Sequence, residues 1–139
     1  MGKVLVPARI ENVYDLHEVG LGSRPPEAVR RVDVIDALVD TGASILALPR
    51  RLVAQLGLKP LRSRSARTSA GPVTLQVYGT VRLAVQGRDC TCDVVEIPDD
   101  CPVLIGQVPL ELLDFVVDPG GQRLIGNPAH GGEHVIELY

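Results

Sequence analysis

The sequence predicts a mostly β fold with one or two short helices, and three observations point that way. Valine occurs 20 times in 139 residues, and β-branched side chains fit the pleated surface of a sheet better than a helix. Fourteen glycines and eleven prolines supply turns at the density that many short strands need. Apolar residues recur at every second position through several segments, the period of a half-buried strand. Aromatic residues are only 3%, with no Trp and one Phe, so the core has to be aliphatic. No internal repeat or low-complexity linker interrupts the chain, and a single domain over residues 1–139 is expected.

The elements follow in order. Lys3 to Ile10 reads as a first strand, with Pro7 marking an edge or a bulge. His17 to Ala28, rich in Gly and Pro, reads as an exposed loop. Val32 and Val34 alternate, and the run becomes continuously apolar from Ala37 to Val39, as in a strand passing from a half-exposed edge into the interior. Leu48 to Pro60 holds a helix: Pro49 suits its first turn, Leu52, Val53 and Leu56 share a face, and Gly57 can end it. Val73, Leu75 and Val77, then Val81, Leu83 and Val85, predict two strands with a bend near Gly79. Thr91 to Ile97 is a strand stopped by Pro98, and Val103 to Gly106 is a short buried one. Val108 to Phe115 is a second short helix with an early Pro. Phe115 to Gly126 reads as a hairpin turned at Pro119-Gly120-Gly121, and Glu133 to Tyr139 as a last strand.

A net charge of −3 points to no nucleic-acid or membrane partner. Basic residues do gather between Arg50 and Arg67, but no aromatics interleave them for base stacking, and they read as a solvated helix face and loop. The opening apolar run is too short for a signal peptide and is broken by Pro7 and Arg9. Gly2 lacks the Ser or Thr at position 6 that myristoylation wants, and no run reaches membrane-spanning length. Three cysteines are an odd number, which favours free thiols in a reducing compartment, the cytoplasm. Cys90 and Cys92 share one side of a strand, and with Cys101 and a histidine they invite a zinc reading. Their spacing is not that of a zinc knuckle, so three buried thiols, with no metal and no cofactor, are expected. His130 and His134 imitate a helical ligand pair, but Gly131-Gly132 favours a loop.

The stretch ALVDTGASILAL, Ala37 to Leu48, is the most informative. A carboxylate flanked by Leu38, Val39, Ile45 and Leu46 is expected to be partly desolvated. That is costly unless the charge is hydrogen-bonded, paired or used. Asp40-Thr41-Gly42 is therefore either a tight turn closed by the Asp side chain or a piece of chemistry. An aspartyl-phosphate loop would need alternating strands and helices, a pattern this chain lacks.

LVDTGAS resembles, at every position, the signature of the retroviral-type aspartic peptidases, the retropepsins. VLIGQVPLELLDF stands where that family places two apolar residues, a Gly and a short helix. The likeness runs from about Val32 to Asn127, and the hairpin after the helix is nearer to cellular, Ddi-type members than to minimal viral enzymes. It implies a closed β-barrel lobe that works as a C2 homodimer and hydrolyses peptide bonds in a peptide or protein substrate. Water activation and carbonyl protonation need two carboxyls sharing one proton. Only Asp40 has the motif: Asp118 precedes a Pro-Gly turn, and Asp33 and Asp36 lack the following Gly. The second carboxyl is thus expected from Asp40 of another copy. Thr41 and Gly42 would support the catalytic loop, and Ala43 and Ser44 would line the substrate cleft. The flap would be RTSAGPVTLQVY, with Thr68, Ser69, Ala70 and Gly71 at its tip. Viral flaps are glycine-rich there, whereas this one has a single Gly followed by Pro72, so an ordinary surface loop is the competing reading. By its position, the hairpin after Phe115 would lie at or near the dimer interface. The alternative from another class is a dimeric module that binds an extended peptide by strand addition and cleaves nothing.

Overall fold

The computed structural model of the chain describes residues 3–118 and 120–138. In order, the elements are β1 (Val4–Asn12), α1 (Val13–Gly20), β2 (Arg31–Val39), β3 (Leu46–Pro49), α2 (Arg50–Gln55), β4 (Lys59–Thr68), β5 (Gly71–Val85), β6 (Arg88–Ile97), β7 (Leu104–Ile105), α3 (Gln107–Leu113), β8 (Phe115–Asp118) and β9 (Arg123–Gly126). Seven strands form one sheet in the order β1-β2-β7-β3-β6-β5-β4, and β8 pairs β9 separately. β1 also pairs β5, from Arg9 opposite Ala84 to Asn12 opposite Val81. The ladders therefore run round a ring of six strands, with β4 attached outside it.

The alternation read in the sequence is what closes this ring. Val4, Val6, Ala8 and Ile10 of β1 point inward with Val81, Leu83 and Val85 of β5, and the residues between them face out. Leu46, Leu48, Leu56, Ile105, Leu110 and Leu113 are fully buried in the same core, and Phe115, the one Phe, joins them. Each such side chain stabilises the fold by roughly 1.5–3 kcal/mol of transfer free energy. The β1–β2 register slips between Val6 and Ala8, at Pro7, whose missing N–H suits a break in the ladder.

One corner is polar. The Asn12 side chain caps α1 by accepting from the Asp15 N–H at 3.1 Å, and its amide donates to the Leu56 carbonyl at 2.8 Å. Asp15 is fully buried. It accepts from the backbone N–H, Nε and Nη2 of Arg30, each at 2.9 Å, and Arg24 Nη2 lies 3.3 Å away. These bonds hold the Asp15 carboxyl well below the usual range, at about 2, the Arg30 side-chain hydrogen bonds being the largest cause.

Several expectations need correction. A third helix, α1, runs through Gly20, so the loop expected from His17 begins only after it. Lys59 to Thr68 is a strand, not helix face and loop, because β5 supplies a partner for it. Val73 to Val85 belongs to one strand, and the bend near Gly79 appears as a register break against β6 between Tyr78 and Val81. Residues 133–138 form no strand. The cysteines are unpaired but only half-buried. The hairpin after Phe115 is present; Pro119 of its turn, and Tyr139, lie outside the described residues. Among the described residues, no helix is long and apolar enough to cross a membrane.

Candidate active site

The site begins with an unusual strand insertion. β7 lies between β2 and β3, parallel to β2 (Leu38 opposite Leu104, Val39 opposite Ile105) and antiparallel to β3 (Leu46 opposite Ile105). The chain leaving β2 at Asp40 must therefore arch past the end of β7 before it returns as β3. Backbone hydrogen bonds fix that arch. Asp40 N–H donates to the Ile105 carbonyl at 2.9 Å, and Gly106 N–H donates to the Ile45 carbonyl at 3.0 Å. The first amides of α3 continue the clasp, from Gln107 to the Ala43 carbonyl at 2.8 Å and from Val108 to the Ser44 carbonyl at 2.9 Å.

Gly106 is required by this crossing. A Cβ there would lie 2.6 Å from the Ile45 nitrogen and 2.7 Å from the Ala43 oxygen, and would also meet the Ile45 oxygen. All three are backbone atoms of the arch and cannot swing aside as a side chain would.

Within the arch, Ala43 N–H donates to the Asp40 carbonyl at 3.1 Å, and Gly42 N–H donates to Asp40 Oδ1 at 3.0 Å. The motif is thus the tight turn closed by the Asp side chain, and that turn fixes where the carboxylate points. A Cβ on Gly42 would sit 3.2 Å from Asp40 Oδ1, so any larger residue presses on the acid. Asp40 is half-buried, as its apolar flanks predict, while Thr41, Gly42 and Ser44 are exposed. Among the described residues, no cation pairs with Asp40. Its carboxylate keeps open lone pairs on the exposed side of the loop.

Beside the arch lies a cleft of about 790 Å³. Gly42, Ala43 and Ser44 line one side, and Arg62, Arg64, Arg67 and Thr68 of β4 line the other. Its floor is a small apolar cluster, Ala47, Val77 and Val95 packed with Leu75, Ile97 and Leu104. β5 pairs β6 only from Val77 onward but pairs β4 out to Gly71. The β4–β5 hairpin therefore projects as a two-stranded arm over the cleft side of the sheet. At its tip the Thr68 hydroxyl donates to the Gly71 carbonyl at 2.8 Å and accepts from the Ala70 N–H at 3.2 Å. Gly71, at φ +108°, takes a backbone conformation that favours glycine. Pro72 is accommodated opposite Arg67.

Of the residues singled out from the sequence, Gly42, Ala43, Ser44 and Thr68 meet at the cleft. Among the described residues, its lining does not take in Asp40, Thr41, Ser69, Ala70 or Gly71. The three arginines are the functional candidates that sequence reasoning missed. For Arg62 and Arg64 the signal was the alternation Arg62-Ser63-Arg64-Ser65, a strand period without apolar residues; Arg67 falls outside that period. Cys92 also borders the cleft; its thiol is pushed up by a hydrogen bond with Cys90 and by burial, and the same bond lowers Cys90.

A comparison with curated proteins finds none that matches. The sequence model of one family, described as aspartyl protease, matches residues 30–108, which take in β2, the arch, the projecting hairpin and β7. More than half of the chain is covered, and the carboxylate, glycines and strand insertion built above all fall inside the match: this chain belongs to the aspartyl protease family.

Proposed function

We propose that the protein is an aspartic endopeptidase of retropepsin type, nearer to the cellular members than to the minimal viral ones, acting as a C2 homodimer on a peptide or protein substrate. The observation that carries this reading is the Asp40 carboxylate, aimed by the Gly42 N–H and, among the described residues, without a cation partner, on an exposed loop beside a peptide-sized cleft. The family match supports protease chemistry.

In this reading Asp40 of each copy meets at the twofold axis, where two like charges side by side cannot both persist. The pair shares one proton between its carboxyls. The ionised member takes a proton from water as it attacks the peptide carbonyl, and the protonated member donates to the carbonyl oxygen. Thr41 engages the partner loop, a role that its exposure in the single chain supports. Ala43 and Ser44 form the cleft wall, the β4–β5 arm closes over substrate as a flap, and the six-strand ring is the barrel lobe. The β8–β9 hairpin is assigned to the neighbourhood of the dimer contact. Three unpaired thiols accord with a cytoplasmic setting.

The test is Asp40→Asn. The variant keeps the fold and the dimer and cleaves no peptide from a mixed library between acidic and neutral pH. Cleavage retained in the purified variant contradicts the mechanism.

A further inference from the structure

We infer that the cleft selects peptides carrying Glu or Asp side chains, which Arg64 and Arg67 of the projecting hairpin hold by charge-assisted hydrogen bonds. The inference rests on the proposed peptidase reading and names the substrate class for it. Three arginines and one aspartate, Asp93, contribute formal charge to the cleft lining, so positive charge is in surplus. Arg62 is engaged, its Nη2 lying 3.2 Å from Asp93 Oδ2. Arg64 and Arg67 have no carboxylate within 4.0 Å among the described residues; both line the cleft, and Arg64 stands opposite Leu75 of its apolar floor. A guanidinium beside an apolar surface binds a carboxylate more strongly than one in open water, and its two-pronged donor geometry matches that group.

Register supports the direction of the charge. Arg62 and Arg64 stand opposite Val77 and Leu75, so they share one face of the hairpin with two floor residues; Arg67, opposite Pro72, belongs to the other face and borders the cleft near the hairpin tip. β4 is an edge strand, and charge on an edge discourages chance pairing. That role does not require the charges to border a cleft. The occupant that complements an apolar floor under a cationic arm is an extended, mostly apolar segment with acidic side chains.

The experiment uses the full-length Asp40→Asn protein and fluorescein-labelled peptides of Leu, Val and Ala. One set carries glutamate at chosen positions, and its pair carries glutamine there. Anisotropy is expected to show the glutamate peptide binding at least about fivefold more tightly at low salt. Added salt should erode that advantage. Arg64→Gln with Arg67→Gln should abolish it, and Arg64→Glu with Arg67→Glu should reverse it in favour of lysine peptides. These side chains are exposed, and thermal melts check that each variant folds. Equal binding of the pair, no binding of either peptide, or an advantage that survives the double substitution overturns the inference. Digestion of the same peptides by the unmodified protein separates the two readings. Cleavage without a glutamate preference defeats only the acidic selectivity. Selective binding without cleavage defeats only the peptidase.

Discussion

Asp15 and Asp40 both follow apolar strands, yet their surroundings are opposite. Asp15 has no exposed surface and accepts three hydrogen bonds from Arg30, with Arg24 alongside. Asp40 is half-buried, and one backbone N–H, from Gly42, reaches its side chain. A carboxylate whose lone pairs are saturated by fixed cations is a joint: here it ties α1 to the segment that leads into β2. A carboxylate aimed by one amide and left unneutralised can bind water, a proton or a second carboxyl. Apolar neighbours mark both residues, so burial alone does not separate them; the inventory of donors does.

Substitution at the two acids should separate them most sharply. Asp40→Asn is expected to lower cleavage by about a thousandfold or more while leaving the urea midpoint unchanged. Asp15→Ala should do the reverse: about 3 kcal/mol of stability lost in urea denaturation, with the activity of each folded molecule preserved. Acid extends the contrast. The folded-state value for Asp15 is depressed from 3.8 to about 2, so its contribution is present above pH 3.8 and is lost as pH falls through about 2. The stability gap between the unmodified protein and Asp15→Ala should therefore close over that interval, and a constant gap would refute the Arg30 clasp.

Gly106→Ala joins both regions in one change, because it presses on the backbone that carries Asp40. Roughly 2 kcal/mol of stability should be lost, together with most of the cleavage. A smaller effect is expected at the C-terminal segment, where His130 Nδ1 lies 2.6 Å from Asp114 and Nε2 lies 2.7 Å from Glu137. Asp114, then Glu137, raise the His130 value above 6.5, so this bond set is at full strength below pH 6.5 and weakens as pH rises through the folded value. The melting temperatures of the unmodified protein and His130→Asn should converge on going from pH 6 to 9. A gap that widens instead would reverse the assigned sign.

Much of this was legible in the sequence. The apolar run broken by Asp40-Thr41-Gly42 located the acid, and Val103 to Gly106 located the strand that props it, because buried strands read as continuous apolar segments. What stayed hidden depends on partners distant in the chain. α1 has a quiet local signal, Asn12 followed three residues later by Asp15, and it is secured by Arg30 fifteen residues beyond. β4 exposes nearly every side chain and becomes a strand through its ladder to β5. Residues 133–138 carry a strand-like composition but are tied down by side chains, the Val135 N–H donating to Asp114 Oδ2 at 3.1 Å. The arginines beside the cleft read as surface charge because no local pattern says what a hairpin will project over.

An acid that needs its twin is sensitive to dilution by inactive subunits, and subunit mixing measures that sensitivity. With the unmodified protein held constant, an equal amount of Asp40→Asn is added under conditions that let subunits exchange, and peptide cleavage is followed. Random pairing predicts a fall to roughly half, and a continued fall with excess variant, because mixed pairs hold one acid. Cleavage that does not change at any ratio, with exchange verified by differently tagged copies, would contradict that dependence on the twin.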